Sequence, residues 1–259
     1  MPPLKRPDVT NTIILPPRHA IMAAETDILV VGGGPAGLGA ALGAAQAGAN
    51  VIVSERYGFL GGNATAALVN PFSSYSTQRH RREKPGSLTF FPTDHGPGET
   101  VISGVLGEMV ARLVRVGGVL PPSPETSYTA PFDPEAFKTV ADDMLDEAGV
   151  RVLLHSFASD VFREGDRVCG AVFETKSGPV VIRAQVIIDC TGDGDIAARA
   201  GAPYEVGRME DGLVQPMTLY FRMVEFRKAA FEAYVKRHPD QWLGVHGLWD
   251  LVRKAEEDG

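Results

Sequence analysis

A glycine-rich turn between an apolar strand and an alanine-rich helix most constrains how this chain can fold. Residues 27–37 read Asp-Ile-Leu-Val-Val-Gly-Gly-Gly-Pro-Ala-Gly, and Glu55 closes the next apolar run. A strand, a glycine turn, a helix, a second strand and a terminal acid, in that order, form the opening of a Rossmann unit. The pattern therefore predicts an α/β fold with a parallel sheet and a site for a dinucleotide.

Each glycine of this turn has its own physical reason. Gly32 permits a tight turn out of the strand, and Gly34, which lacks a side chain, lets a pyrophosphate approach the backbone. Gly37 lets the helix pack closely on the sheet. The helix that follows begins with Pro35 and Ala36, so its N–H groups and the positive end of its dipole face the phosphates.

The acid at the tip of the second strand selects among dinucleotides. Val51 to Ser54 supplies that strand, and Glu55 follows Gly37 by 18 residues. This spacing places a carboxylate beside the ribose hydroxyls. An acid there disfavours a 2′-phosphate, which argues against NADP. A Rossmann unit without a ligand is the plainer alternative.

Composition and charge exclude several classes of protein. Among 259 residues, 44% are hydrophobic and 22% are charged, which is ordinary for a globular enzyme. The net charge of −7 argues against nucleic acid as a partner. No apolar run approaches the length of a membrane span. Cys169 and Cys190 show neither a metal-ligand spacing nor a disulfide framework, so we expect a reduced, cytoplasmic protein without a bound metal.

The middle of the chain continues the α/β pattern. The spacing of apolar residues predicts helices over about 103–116 and 134–148, the second capped by Asp133. A third parallel strand is expected at about 150–154. Three strands of a β-meander are then predicted at 159–163, 168–175 and 180–184, each pair joined by a turn.

A further strand is predicted directly after the meander. Val186 to Ile188 reads as a separate buried strand that leads into Asp189-Cys190-Thr191-Gly192-Asp193. Beyond it, residues 215–223 resemble a strand of another sheet. The last stretch, 225–257, indicates two charged amphipathic helices interrupted near Pro239.

Three of these segments together resemble one known family. Residues 30–55, 61–65 and 186–198 are similar to FAD-dependent oxidoreductases of the glutathione-reductase-like superfamily, in particular those related to the fumarate reductase flavoproteins. The resemblance covers about residues 26–224. It implies a Rossmann-like FAD-binding domain formed by 26–70 and 133–200, and part of a substrate or cap domain formed by 71–132 and 201–259. The proline-rich residues 1–25 are then a leader arm on the surface or on a partner.

The resemblance also assigns further cofactor-binding residues. Gly32, Gly34 and Gly37 would hold the FAD pyrophosphate, and Glu55 the adenosine ribose. The resemblance further implies that Arg56 lies near the adenine or ribose and that Ala158 offers backbone groups to the adenine. The segment formed by Gly61, Gly62, Asn63 and Thr65 would run past the pyrophosphate toward the flavin. Thr191, Gly192 and Asp193 would close a turn beside the cofactor. A simple strand-to-helix turn is the plainer interpretation of the last three.

The chain departs from the family pattern in one respect. Members have a later segment that returns to the FAD domain beside the flavin, and the sequence ends at Gly259 before such an element. We therefore expect either a fragment or a second chain that completes the site, with a homo-oligomer as another arrangement. On this expectation, the isolated chain binds FAD weakly or not at all.

Catalytic residues are less constrained than cofactor residues. The implied reaction is hydride transfer between a small organic substrate and flavin N5, helped by an acid or base. His80 and His95 lie in a loop-rich segment, His80 being alternatively a flavin attachment point, and Arg81 belongs to a basic run that would clamp a carboxylate. Solvated loop residues are the plainer reading of all three.

Two other functional classes remain open from the sequence. The chain is alternatively a non-catalytic or truncated subunit that keeps the FAD fold. A third reading is an NAD-binding Rossmann dehydrogenase, which the meander and the Thr191-Gly192-Asp193 turn disfavour. No Cys-x-x-Cys is present, which disfavours a disulfide-reductase mechanism.

Overall fold

The computed structural model describes residues 16–73, 75–78, 97–120 and 129–238, together with the isolated positions 254 and 257. The strands within these residues are β1 (Ile21–Val31), β2 (Val51–Ser54), β3 (Pro71–Phe72), β4 (Ser76–Gln78), β5 (Pro97–Thr100), β6 (Ala130–Pro131), β7 (Arg151–Leu153), β8 (Phe157–Glu164), β9 (Arg167–Thr175) and β10 (Gly178–Asp189). The helices are α1 (Pro35–Gln46), α2 (Val105–Arg115), α3 (Pro134–Glu147), α4 (Asp195–Arg199) and α5 (Lys228–Arg237), with a 3-10 turn at Gly62–Ala64.

A six-stranded sheet in the order β7-β2-β1-β10-β9-β8 organises the fold. β1 pairs in parallel with β2 and β10, and β2 pairs in parallel with β7. The meander strands β8, β9 and β10 pair antiparallel to one another. The predicted α/β class, with a parallel Rossmann-like sheet and a meander, is therefore confirmed.

The meander and the strand after it are one element, which corrects the prediction of two. β10 runs without a break from Gly178 to Asp189. Its first half pairs with β9, and residues from Val180 onward pair with β1. This is possible because β1 begins at Ile21, inside the predicted leader arm of 1–25, and offers a partner along nearly the whole of β10.

Both predicted helices of the Rossmann unit form as expected. α1 ends at Gln46, just before Gly48 with a φ of 88°. α3 begins at Pro134, and the Asp133 carboxylate caps it by accepting a 2.9 Å hydrogen bond from the Glu135 N–H. α2 is shorter than predicted and spans Val105–Arg115.

The sheet buries different apolar residues on its two faces. Val30, Val51 and Val53 pack with residues of the three long helices of the unit, including Leu38 and Phe137. On the other face, Leu29, Val31 and Ile52 pack with meander residues, including Ala171, Phe173 and Ile182. Because side chains alternate along a strand, residues Ser54 and Glu55 continue to opposite faces at the end of β2.

The predicted strand at 215–223 is wrong. These residues form neither helix nor strand, and all of them are exposed. A strand needs a paired neighbour, and the described part of the chain provides none here. The first of the two predicted C-terminal helices is α5, while most of the second lies outside the described residues. No helix in the described ranges is long and apolar enough to cross a bilayer.

Candidate cofactor-binding site

A cavity of about 410 Å³ opens at the carboxyl ends of β1, β2 and β10. Ligands of open α/β sheets bind at this edge, where the loops diverge. The predicted residues that line the cavity are Gly32, Gly34, Pro35, Ala36, Glu55, Arg56, Gly62, Asn63, Ala158, Thr191 and Gly192. Residues that are far apart in sequence thus share one concave surface.

Gly32 and Gly37 are needed for close packing within the protein. Gly32 has a φ of +106°, and a Cβ on it would lie 2.3 Å from the Cys190 carbonyl oxygen. A Cβ on Gly37 would lie 1.8 Å from the Gly32 carbonyl oxygen. Any side chain at either position would therefore push the turn away from β10 or the helix away from the sheet.

Gly34 differs, because none of its described neighbours requires a glycine there. Its φ is −74°, and a Cβ would meet only the Gly62 Cα, at 3.8 Å. Gly62 has a φ of +48° and faces Gly34 across the cavity wall. The Gly61 N–H donates a 2.8 Å hydrogen bond to the Gly33 carbonyl oxygen, which holds the two glycine loops together. The pair leaves two bare backbones facing the cavity.

The N-terminus of α1 lies at the same wall, where Pro35 and Ala36 line the cavity. Gly34 is the N-cap and supplies no capping side chain. The first helical hydrogen bond runs from the Leu38 N–H to the Gly34 carbonyl oxygen. The N–H groups of Ala36 and Gly37 precede that bond and have no side-chain cap, which is the arrangement that binds anions at helix N-termini.

Glu55 is buried at the cavity edge, with 5% of its surface exposed. Its Oε2 accepts a 2.8 Å hydrogen bond from the Gly33 N–H, and its Oε1 accepts a 2.9 Å hydrogen bond from the Tyr57 N–H. A carboxylate accepts about four hydrogen bonds, so it retains acceptor capacity on the cavity side. Ribose binding by Glu55 stays a prediction, and the structure adds a second task, the orientation of the glycine loop.

Ser54, which lies on the opposite face of β2 from Glu55, contributes a hydroxyl to the cavity that the sequence analysis did not predict. Ser54 lines the cavity and is 1% exposed, and its Oγ has no hydrogen-bond partner within the described ranges. The neighbouring Ser156 is satisfied, since its Oγ donates a 2.9 Å bond to the Leu153 carbonyl oxygen. A serine that ends a strand gives no sequence signal of this kind, because only its burial makes it unusual.

The turn after β10 is organised by Asp189, which sequence reasoning also missed as a site residue. Its Oδ1 accepts bonds from the Thr191 N–H at 3.0 Å and the Thr191 hydroxyl at 2.8 Å, and its Oδ2 accepts one from the Ala197 N–H at 2.9 Å. Burial favours the neutral acid, but the bonds from Ala197 and Thr191 outweigh it and keep the pKa of Asp189 below its usual value.

Thr191 completes this network. Its hydroxyl also accepts a 3.0 Å bond from the Asp195 N–H at the start of α4. Gly192 and Gly194 have φ values of +92° and +72°, a conformation that favours glycine. Beside them, burial and then the Asp189 charge raise the pKa of the Cys190 thiol, which stays protonated at neutral pH. Both Cys169 and Cys190 are free thiols.

Four predicted cofactor residues, Gly37, Gly61, Thr65 and Asp193, lie outside the cavity lining. The Thr65 hydroxyl is buried and donates a 2.7 Å bond to the Leu60 carbonyl oxygen. A Cβ on Gly61 would lie 2.5 Å from the Thr65 side chain. Gly61 and Thr65 therefore set the conformation of the 61–65 loop without lining the cavity. The predicted catalytic candidates His80, Arg81 and His95 lie outside the described residues.

Residues 27–258 match the family model described as FAD dependent oxidoreductase. The chain belongs to this family. One curated relative, the thiamine thiazole synthase of Aeropyrum pernix, is 28% identical over 206 residues, which cover 74% of this chain and 63% of that protein. The chain therefore spans less than two thirds of the length of this relative.

Several solved structures are similar. THI4 of Thermovibrio ammonificans is 24% identical with a TM-score of 0.43, covering 68% of this chain and 61% of that one. A geranylgeranyl bacteriochlorophyll reductase-like protein of Thermoplasma acidophilum is 19% identical with a TM-score of 0.44, covering 69% and 42%. A flavocytochrome c3 fumarate reductase is 17% identical with a TM-score of 0.42, covering 65% and 34%.

The residues of the cavity fit the cofactor of the family, FAD. The facing backbones of Gly34 and Gly62 leave room for a pyrophosphate, and the uncapped start of α1 supplies N–H donors for it. Glu55 supplies a carboxylate at the end of β2, and the unpaired Ser54 hydroxyl supplies a polar atom beside the meander. These backbone and polar groups are chemically compatible with a bound dinucleotide.

Proposed function

We propose that this protein holds FAD in the cavity and passes a hydride between a small organic substrate and flavin N5. The observation that carries the proposal is the Gly34–Gly62 pair beside the uncapped N-terminus of α1. Packing explains the glycine at Gly62, where a Cβ would lie 3.0 Å from the Gly34 Cα, but it does not explain Gly34, where a Cβ would meet no described atom closer than 3.8 Å. Close approach of an anionic ligand gives it one.

The residues of the site divide the binding among themselves. The N–H group of Ala36 at the start of α1 binds the pyrophosphate, and the Glu55 carboxylate accepts hydrogen bonds from the ribose hydroxyls. Ala158, which lines the same cavity as Glu55, offers backbone groups to the base. When bound, FAD supplies the hydride-accepting centre, and the protein supplies orientation and electrostatics.

The Thr191 turn lines the cavity next to Gly32, where a Cβ would lie 3.0 Å from the Thr191 nitrogen. Its conformation is set by Asp189, whose carboxylate is held by three hydrogen bonds from Thr191 and Ala197. Such a preorganised turn costs little free energy to order when a ligand binds. We assign it to the positioning of the cofactor, with the substrate bound by residues beyond this cavity.

The test is reconstitution of the purified chain with FAD, measured by flavin absorption bands and by quenching of flavin fluorescence. Because the chain spans less than two thirds of its relative, we expect this chain alone to bind FAD only weakly and NAD to compete poorly. Anaerobic addition of small alcohols and carboxylates then reports reduction of the flavin by bleaching. Saturable FAD binding without reduction by any of them would favour the non-catalytic subunit. Binding of NAD in preference to FAD would contradict the proposal.

A further inference from the structure

His155 has a backbone conformation that residues other than glycine rarely adopt. Its φ is +53°, in the left-handed region. In the described part of the chain, the other non-glycine residues with a positive φ are Leu68 and Glu225. Strain of this kind persists where the surrounding contacts hold it in place, and it is concentrated at ligand sites. His155 directly precedes residues 156–158, all of which line the cavity.

Two contacts hold His155 in this conformation, and both join it to the loop formed by residues 56–59. The His155 N–H donates a 3.0 Å hydrogen bond to the Tyr57 carbonyl oxygen. The imidazole lies against Gly58, where a Cβ would be 2.7 Å from both Cε1 and Nε2 of the ring. Gly58 therefore gives the ring room to pack, and His155 fastens the 56–59 loop to the segment after β7.

This loop presents planar side chains at the cavity. Tyr57 lines the cavity and is 37% exposed, and its ring stacks on that of Phe59 with a centroid separation of 5.6 Å. Arg56 also lines the cavity, and its Cζ lies 4.9 Å from the centroid of the Tyr57 ring. After His155, the exposed Phe157 adds a further planar group to the lining. Aromatic rings and guanidinium planes are the side-chain groups on which bases stack.

The backbone of Tyr57 is held at both of its polar groups. Its N–H donates a 2.9 Å hydrogen bond to the Glu55 carboxylate, and its carbonyl oxygen accepts the bond from His155. Glu55 is the residue that we propose to bind the ribose. The planar groups therefore lie beside the ribose site, where the base of the same nucleoside must lie.

Given the proposed function, on which this role rests, we propose that His155 is a positioning residue for the base of the bound dinucleotide. By joining the 56–59 loop to residues 156–158, it fixes the planar groups of the two segments relative to each other. The strained φ follows from this connection, because φ sets the angle between the N–H and the rest of the residue. A relaxed φ that kept the bond to Tyr57 would swing the ring away from Gly58 and move residues 156–158.

The first test replaces His155 by glycine and measures binding at the two ends of the cofactor site. A φ of +53° suits glycine, so the melting temperature of His155→Gly should stay within about 4 °C of the wild type. We expect the affinities for FAD, and for ADP as its competitor, to fall by about tenfold. Inorganic pyrophosphate, which competes for the wall at Gly34 and Gly62, should bind equally to both proteins. Equal losses for ADP and pyrophosphate would overturn the proposal.

Glu225→Gly is the matched control for the relief of strain. Glu225 has a φ of +58°, is exposed and lies outside the cavity lining. Its replacement removes strain of the same kind and should leave the affinities for FAD and ADP unchanged. A loss of ADP affinity as large as that of His155→Gly would contradict the proposal, because the position of the strain would then not matter.

A double-mutant cycle tests the contact between His155 and Gly58. Gly58 does not have a positive φ, so alanine fits its backbone, but the methyl group should displace the imidazole. Gly58→Ala should therefore weaken ADP binding as His155→Gly does. In the His155→Gly background the ring is absent, and Gly58→Ala should have no further effect. Additive losses would show that the two residues act independently and would overturn the proposal.

Binding to the wild-type chain separates the role of His155 from the proposed function. FAD that binds equally well to the wild type, His155→Gly and Gly58→Ala would overturn only the role of His155. A wild-type chain that binds neither FAD nor ADP at any concentration would overturn both.

Discussion

The carboxylate of Glu55 accepts a 2.8 Å hydrogen bond from the backbone N–H of Gly33, and so ties the end of β2 to the glycine turn after β1. The same side chain accepts a 2.9 Å bond from the Tyr57 N–H. A residue whose predicted task is to bind a ribose therefore also sets the position of the loop that approaches the pyrophosphate. Its substitution should affect folding and ligand binding together.

We expect Glu55→Gln to lower the free energy of unfolding by about 1–3 kcal/mol, because the buried N–H groups lose a charged acceptor and one of them meets an amide NH2. FAD affinity should fall by about tenfold or more. Chemical denaturation and fluorescence titration measure the two effects. Asp166→Asn, at an exposed turn, serves as the control. A variant with normal stability and normal affinity would contradict both tasks.

The two glycines Gly34 and Gly37 should respond in opposite ways to alanine. Gly34→Ala should leave the free energy of unfolding nearly unchanged, since its Cβ meets no atom closer than 3.8 Å. The same variant should weaken FAD binding by about tenfold or more, because the methyl group occupies the space between Gly34 and Gly62 that we assign to the pyrophosphate. Gly37→Ala should destabilise the fold by roughly 1–3 kcal/mol through overpacking. Thermal unfolding with and without FAD separates the two. If Gly34→Ala binds FAD normally, the space between Gly34 and Gly62 does not hold the pyrophosphate.

Asp189 should contribute stability that depends on pH. Its pKa in the folded protein lies below the usual value of 3.8, so its contribution is complete well above that pH and is lost as the pH falls toward and through the folded pKa. We expect Asp189→Asn to lower the free energy of unfolding by about 1–3 kcal/mol at neutral pH, since three hydrogen bonds to a charge are altered.

The measurement is the difference in stability between the wild type and Asp189→Asn as a function of pH. The difference should be constant from neutral pH to about pH 5 and should shrink progressively below it. Other carboxylates titrate equally in both proteins and cancel. A difference that grows toward acid pH would show that Asp189 is not held in its charged form.

Ser54 provides a test that separates stability from binding. Because its buried Oγ has no partner within the described residues, Ser54→Ala removes an unsatisfied polar group and should leave stability unchanged or raise it by about 1 kcal/mol. Ser156→Ala is the control, since that hydroxyl is bonded and its loss should destabilise. If the Ser54 hydroxyl reaches the ligand after a rotamer change, FAD affinity falls while stability does not. A loss of stability in Ser54→Ala would show a partner that the static structure lacks.

The site could be predicted where the backbone itself carries the chemistry. The spacing of Gly32, Gly34 and Gly37 and the acid at Glu55 follow from the geometry of one local unit, and the structure places the turn, α1 and β2 where they were predicted. The roles of Ser54 and Asp189 did not emerge, because neither residue type nor spacing signals burial beside a cavity. Thr65 was assigned to the cofactor from a resemblance, whereas its hydroxyl is used by Leu60.

The sequence by itself determined the α/β class, the glycine turn and the helix that follows it, because these depend on contacts between residues close in the chain. The assignment of FAD came from the resemblance of residues 30–55, 61–65 and 186–198 to one family. Only the tertiary structure decided that β10 is one strand serving two partners and that Gly34 faces Gly62. It also decided that residues 215–223 have no partner in the described chain. Pairing between distant segments depends on which surfaces meet, and local spacing does not encode that.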